Sequence, residues 1–182
     1  MASELIVQTI QGPSSGANAN KVLIPSGHTL DVSGGTLVPS AGAVVKSAVV
    51  DETNSLSTTS TSWQDVLTID FTPSFNNSIL FISGAVQGVS YESNTSYQGS
   101  KWRYLVTPSG GAAFEDFINY YMFHFPTGSY YGGSVPISFK YTVSSTVNHS
   151  IKIQAYSANG TSNCIRNRNG ERSTLVVQEI KQ

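Results

Sequence analysis

Hydrophobic positions along this chain follow two regimes. Through residue 50 they come as short apolar pulses cut by Gly, Pro and Ser: Val22-Leu23-Ile24 before Pro25-Ser26-Gly27, Leu30-Asp31-Val32 before Ser33-Gly34-Gly35, and Leu37-Val38 before Pro39-Ser40-Ala41-Gly42. The pulses have the β-branched, alternating character of strands, yet each is too short to close a core within one chain. Leu23, Ile24, Leu30, Val32, Leu37 and Val38 are therefore expected to be buried against something else, most economically against copies of themselves. Residues 1–50 read as a β-rich anchor or shaft ordered by assembly, and residues 51–182 as a separate head.

The head is written in strand periodicity. Trp63, Asp65, Leu67, Ile69 and Phe71 share one parity against Gln64, Thr68 and Asp70, and Pro73 ends the run. Ile79-Leu80-Phe81-Ile82 is continuously apolar, which predicts a central strand covered on both faces with Phe81 in the core. Further strands are predicted over 101–107, 118–125, 135–143, 151–157 and 173–180. Ile137, Phe139, Tyr141 and Val143 alternate cleanly with Ser138, Lys140 and Thr142, as in a sheet with one wet face. Only Glu115-Asp116-Phe117 suggests a helical turn. Seven to nine short strands without a helix predict an all-β fold, an antiparallel β-sandwich of jelly-roll-like topology.

Composition narrows the partners. Charged residues make up 12% of the 182, with ten basic and eleven acidic side chains, so there is no electrostatic footprint for nucleic acid or an anionic bilayer. No apolar run approaches the roughly 18 residues of a membrane span, and Met1-Ala2-Ser3-Glu4 does not open a signal peptide. Synthesis in a cytoplasm is expected, without membrane insertion. The lone Cys164 excludes an internal disulfide framework.

With these segments in place, a family resemblance emerges. Residues 58–71, Thr-Thr-Ser-Thr-Ser-Trp-Gln-Asp-Val-Leu-Thr-Ile-Asp-Phe, with Thr72-Pro73-Ser74 and the strand at 78–82, resemble the opening of a C-terminal domain common in phage tail-fibre-like proteins. Pro136-Ile137-Ser138-Phe139, Ile151-Lys152-Ile153-Gln154, Ile165-Arg166-Asn167-Arg168 and the terminal 173–180 look like its last strands in order. Residues 22–37 are similar to shaft or attachment segments of the same virion proteins, especially those of aquatic phages. The resemblance implies a homotrimeric fibre or spike on a virion, on tail or head, in contact with other virion proteins and with the host surface.

No constellation speaks for catalysis. Adjacent Glu115 and Asp116 would face opposite ways on a strand, as would Asp65 and Asp70, whereas a glycosidase needs two carboxyls facing one cleft about 5 to 9.5 Å apart. A non-enzyme without cofactor is expected. His28, His124 and His149 show no metal-ligand spacing; only a threefold axis through His28, which the resemblance alone suggests, would bring three imidazoles together.

Arg166, Arg168 and Arg172, among Asn163, Asn167 and Asn169, form a local basic patch that suits either an anion or, more simply, contacts with Glu171, Glu179 or a neighbouring subunit. The densest signal is aromatic. Tyr91, Tyr97, Tyr130 and Tyr131 stand in Gly- and Ser-rich surroundings, where a Tyr offers a flat apolar face and a hydroxyl, and they are the first candidates for contact with a host surface glycan. Packing between subunits accounts for the same residues. A capsid decoration protein without a receptor role, and a free lectin-like module, are the alternatives to a fibre.

Overall fold

The computed structural model describes residues 14–16, 26–28, 39–92, 100–118, 130–157, 160 and 163–182. The chain divides into two compact units, Met1–Val38 and Pro39–Gln182. The expected anchor residues Leu23, Ile24, Leu30, Val32, Leu37 and Val38 lie outside the described residues.

Among the described residues the second unit holds ten strands: β1 (Val44–Glu52), β2 (Leu56–Thr58), β3 (Gln64–Phe71), β4 (Ile79–Glu92), β5 (Ser100–Pro108), β6 (Phe114–Ile118), β7 (Tyr130–Thr142), β8 (His149–Ser157), β9 (Asn163–Arg166) and β10 (Ser173–Ile180). Because β1 is hydrogen-bonded to β10 from Val44↔Ile180 to Glu52↔Ser173, the compact unit begins ahead of residue 51. Glu115-Asp116-Phe117 lie within β6 and form no helical turn.

β4 has three partners. β7 runs along one edge for nearly its whole length, so β10 (Thr174↔Ala85 to Ile180↔Ile79) and β9 (Ser90↔Cys164, Tyr91↔Asn163) share the other edge in series. β1 and β2 follow β10 and β9 in the same way. The ten strands thus act as eight ribbons in two four-ribbon sheets, β1/β2 beside β10/β9, β4 and β7 in one and β3-β8-β5-β6 in the other. The chain changes sheet at every connection between ribbons except the β5–β6 hairpin. An eight-ribbon antiparallel sandwich wound in this order has jelly-roll topology.

Alternation puts one side of each strand into the layer between the sheets. Leu80, Ile82, Val86 and Val89 of β4, Val135, Ile137 and Val143 from the β7 side, Leu175 and Val177 of β10, and Ile151, Ile153 and Ala155 of β8 are all buried. Tyr104 of β5 stacks on Phe139 of β7 at 4.0 Å between ring centroids, and its hydroxyl accepts from the Ser138 N–H at 3.4 Å. Each fully buried aliphatic side chain of this kind contributes about 1.5–3 kcal/mol.

Two expected faces are corrected. Phe81 does not join the core: with Leu80 and Ile82 inward it must point outward, and it remains 38% exposed. On β3 a bulge between Asp65 and Leu67 breaks the expected parity, burying Val66 and Leu67 together and leaving Asp65 and Asp70 both exposed.

Candidate functional site

Strand register fixes what meets at each end of the sandwich. Thr58↔Asn163, Tyr91↔Asn163 and Glu92↔Tyr130 place the β2–β3, β4–β5, β6–β7 and β8–β9 connections at one end. The backbones of Tyr91 and Tyr131 are partners across the β4–β7 ribbon, and Tyr130 pairs with Glu92. Three of the four candidate tyrosines, far apart in sequence, therefore converge on that end. Tyr97 lies outside the described residues.

The arginines do not form one patch. Arg166 turns onto its own chain, donating from Nε to the Asn54 carbonyl at 3.1 Å and from Nη1 to the Val66 carbonyl, with Glu52 Oε2 3.7 Å from Nη2. Arg172 pairs with Asp51 at 3.3 Å, and the other oxygen of that carboxylate accepts from Thr174 Oγ1 at 2.6 Å. Of the expected carboxylate partners, Glu179 is buried and accepts from the Ser74 and Phe75 N–H groups and from Ser78 Oγ.

Arg168 lines a cavity. A cleft of about 350 Å³ lies where β4 loses register, floored by Gln87-Gly88, walled on one side by Gly133-Ser134 of β7 and on the other by Arg168, Asn169 and Glu171. The 167–171 turn is pinned to the irregular stretch of β4 by Asn167 N–H to the Gln87 carbonyl at 2.8 Å and Arg168 N–H to the Gly88 carbonyl at 3.3 Å. Buried Asn167, itself at φ 53°, donates from Nδ2 to the Glu52 carbonyl at 2.6 Å and accepts from Ser173 Oγ at 2.5 Å. Gly88, at φ 63°, is required here: a Cβ would stand 2.5 Å from the Arg168 nitrogen and 2.6 Å from Glu171 Oε2.

Glu171 Oε2 accepts from the Asn169 N–H at 2.7 Å. That bond, and the N–H of Glu171 itself, hold its carboxyl below the ordinary carboxylate range. The cleft thus presents a fixed carboxylate, a guanidinium, amides and a hydroxyl around a floor and wall containing glycine. The sequence pointed to Arg168 only as one of three arginines with Arg166 and Arg172, and not to the cleft; Asn-Arg-Asn-Gly-Glu between two strand-like runs was the available signal.

A second polar array crosses the outer face of the other sheet. Lys152 and Gln154 donate to the two oxygens of Asp65 at 2.7 and 2.6 Å, Arg103 Nε donates to Gln154 Oε1 at 2.7 Å, and Arg103 Nη1 reaches Glu115 at 2.8 Å. The Arg103 guanidinium also lies 4.4 Å from the Trp63 ring centroid. These groups are mutually engaged, a cross-strand clamp on all four strands of that sheet.

No family model matches the sequence, and neither does any curated protein. Among solved structures the chain is similar to the protein in the crystal structure of the infectious bursal disease virus VP2 subviral particle. TM-score is 0.50 at 12% identity, over 93% of this chain and 40% of that one. The fold resembles that of VP2. A structure of the Gx strain of the same virus matches with TM-score 0.47 at 11% identity, over 87% of this chain and 37% of the other. This chain thus spans well under half the length of either relative, and at such identity the likeness concerns the jelly-roll sandwich alone.

His28 is exposed, and no group of metal-ligating side chains occurs among the described residues.

Proposed function

We propose that this chain is a non-enzymatic virion structural protein: a jelly-roll head that assembles as a homotrimeric fibre or spike, is carried by its first 38 residues, and turns its tyrosine-bearing end toward a host surface. One observation carries the reading. The outer face of the β1-β10-β4-β7 sheet carries exposed apolar side chains among its polar ones, with Val44 54%, Val49 60% and Phe81 38% exposed. Val49 pairs with outward Val176, and Val44 with Ile180, itself paired with Ile79, whereas Phe81 pairs with Gln178 and Lys140. In a chain with 12% charged residues, such a face suits contact with other protein.

Jelly-roll domains serve in viral capsids and in lectins alike, so fold alone leaves the role open between particle building and saccharide binding. The exposed Val44, Val49 and Phe81 favour particle building. The placement of Tyr91, Tyr130 and Tyr131 at the end opposite the β3–β4 and β7–β8 connections supports a free, outward end. Gold-labelled antibody against the Pro39–Gln182 unit, applied to purified virions and viewed by electron microscopy, tests the reading. Label at projecting fibres or spikes is the expected outcome; label spread evenly over the shell would assign the chain to capsid decoration, and unlabelled virions would reject a virion role.

A further inference from the structure

We propose that the cleft between the 167–171 turn and β7 binds a neutral saccharide unit, through hydrogen bonds from Arg168, Asn169, Gln87 and Ser134 and to the Glu171 carboxylate. This deepens the host-contact part of the proposed function and rests on it.

Cleft chemistry selects the ligand class. Sugar hydroxyls donate and accept at once, and so need both kinds of partner within one shallow site. Arg168 supplies donors only, the Glu171 carboxylate acceptors only, and the amides of Gln87 and Asn169 and the hydroxyl of Ser134 supply both. A phosphate or sulfate group would meet the Glu171 carboxylate, which is fixed in place by the Asn169 N–H at 2.7 Å, and repulsion there opposes an anion. Gly88 admits the turn backbone where a side chain would stand, and Gly133 lines the opposite wall without a side chain. The volume of about 350 Å³ lies at the small end of the roughly 300–1,000 Å³ typical of ligand sites, suited to one or two sugar rings.

The scaffold is preorganised. The turn bearing Arg168, Asn169 and Glu171 is held by two backbone hydrogen bonds to β4 and by buried Asn167, so binding need not order it. Continuity with the tyrosines is direct: from Val89↔Gly133 beside the cleft, the same β4–β7 ribbon leads to Tyr91↔Tyr131. A chain of several sugars leaving the cleft along that ribbon would reach the tyrosine-bearing end.

The test is NMR titration of the full chain with neutral oligosaccharides of glucose, galactose, mannose and N-acetylglucosamine, and with heparin oligosaccharides as the sulfated counterpart. Expected are saturable shifts of the Gly88, Gly133 and Asn169 amides with at least one neutral series, and weaker binding of heparin. Ser134→Trp, at an exposed position, should fill the cleft and weaken that binding at least tenfold while leaving the remaining spectrum and the oligomeric mass unchanged. Arg168→Ala should weaken it similarly. Absence of saturable shifts at the cleft with every neutral series, tighter binding of heparin there, or full binding by Ser134→Trp would overturn the proposal. Virion labelling and oligomeric mass do not depend on this cleft, so failure here leaves the structural reading standing and failure there leaves this result readable.

Discussion

Glu179 and Ser78 meet in the interior, the carboxylate of one accepting the hydroxyl of the other at 2.8 Å although they are far apart in sequence. The same carboxylate takes the backbone N–H groups of Ser74 and Phe75, so a strand near the C-terminus fixes the turn that sends the chain from β3 to β4. Glu179→Ala would strand these donors. A loss of about 3 kcal/mol is expected, since bonds to a charged group contribute about 1.5–3 kcal/mol each and orphaned buried donors cost about 1–3. Urea denaturation of the Pro39–Gln182 unit measures it, and a loss within about 0.5 kcal/mol, the range of ordinary surface changes, would show that the carboxylate is dispensable.

Leu80, Phe81 and Ile82 separate folding from assembly. Ile82→Ala should cost about 2–5 kcal/mol because Ile82 is fully buried. Phe81→Ser should cost the isolated head about 1 kcal/mol or less, yet weaken self-association, because Phe81 faces outward. Denaturation of the head together with sedimentation of the full chain distinguishes the two effects.

Acid should weaken the clamp on the outer face of the β3-β8-β5-β6 sheet. Partial burial alone would raise the Asp65 pKa, but hydrogen bonds from Lys152 and Gln154 and the charges of Lys152 and Arg103 outweigh it and bring the carboxyl below its ordinary 3.8. A depressed folded value means that the stabilisation is complete above the unfolded pKa and is lost as pH falls through the folded one. Carbonyl-carbon NMR titration should show Asp65 ionising below 3.8, and Asp65→Asn should flatten the fall in stability below about pH 4. An Asp65 midpoint above 3.8 would contradict the clamp.

Removing residues 1–38 should leave a folded head, since the compact unit starts at Pro39. Removing residues 1–52 takes away β1, opens the β10 edge from Ser173 to Ile180, and deprives Arg166 of Glu52 and Arg172 of Asp51. The first truncation should melt cooperatively; the second should lose stability or aggregate through the bared edge. Circular dichroism melts with light scattering check both.

The sandwich was legible because each strand's inward side carries its own periodic signal: Ile137 to Val143 and Ile151 to Ala155 read directly as faces, and 173–180 coincides with β10. Phe81 misled because an outward position on a central strand is apolar as well, so the run at 79–82 held no parity. The bulge at Val66 was invisible because nothing local marks it; it is held by the distant Arg166 side chain reaching the Val66 carbonyl. The cleft was hidden for a related reason. Its floor and walls come from β4, β7 and a turn whose proximity exists only in the sheet register, although Arg168 was visible among three arginines. Of the four tyrosines named as candidates for host contact, register brings the backbones of Tyr91, Tyr130 and Tyr131 to one end, which the sequence alone does not show.

Self-assembly is the central claim, and the oligomeric mass of the full-length protein at micromolar concentration tests it most directly. Sedimentation equilibrium should return the mass of three chains, reduced toward one chain by Val49→Glu with Phe81→Glu on the outer sheet face. A well-folded monomer across the micromolar range would contradict the account.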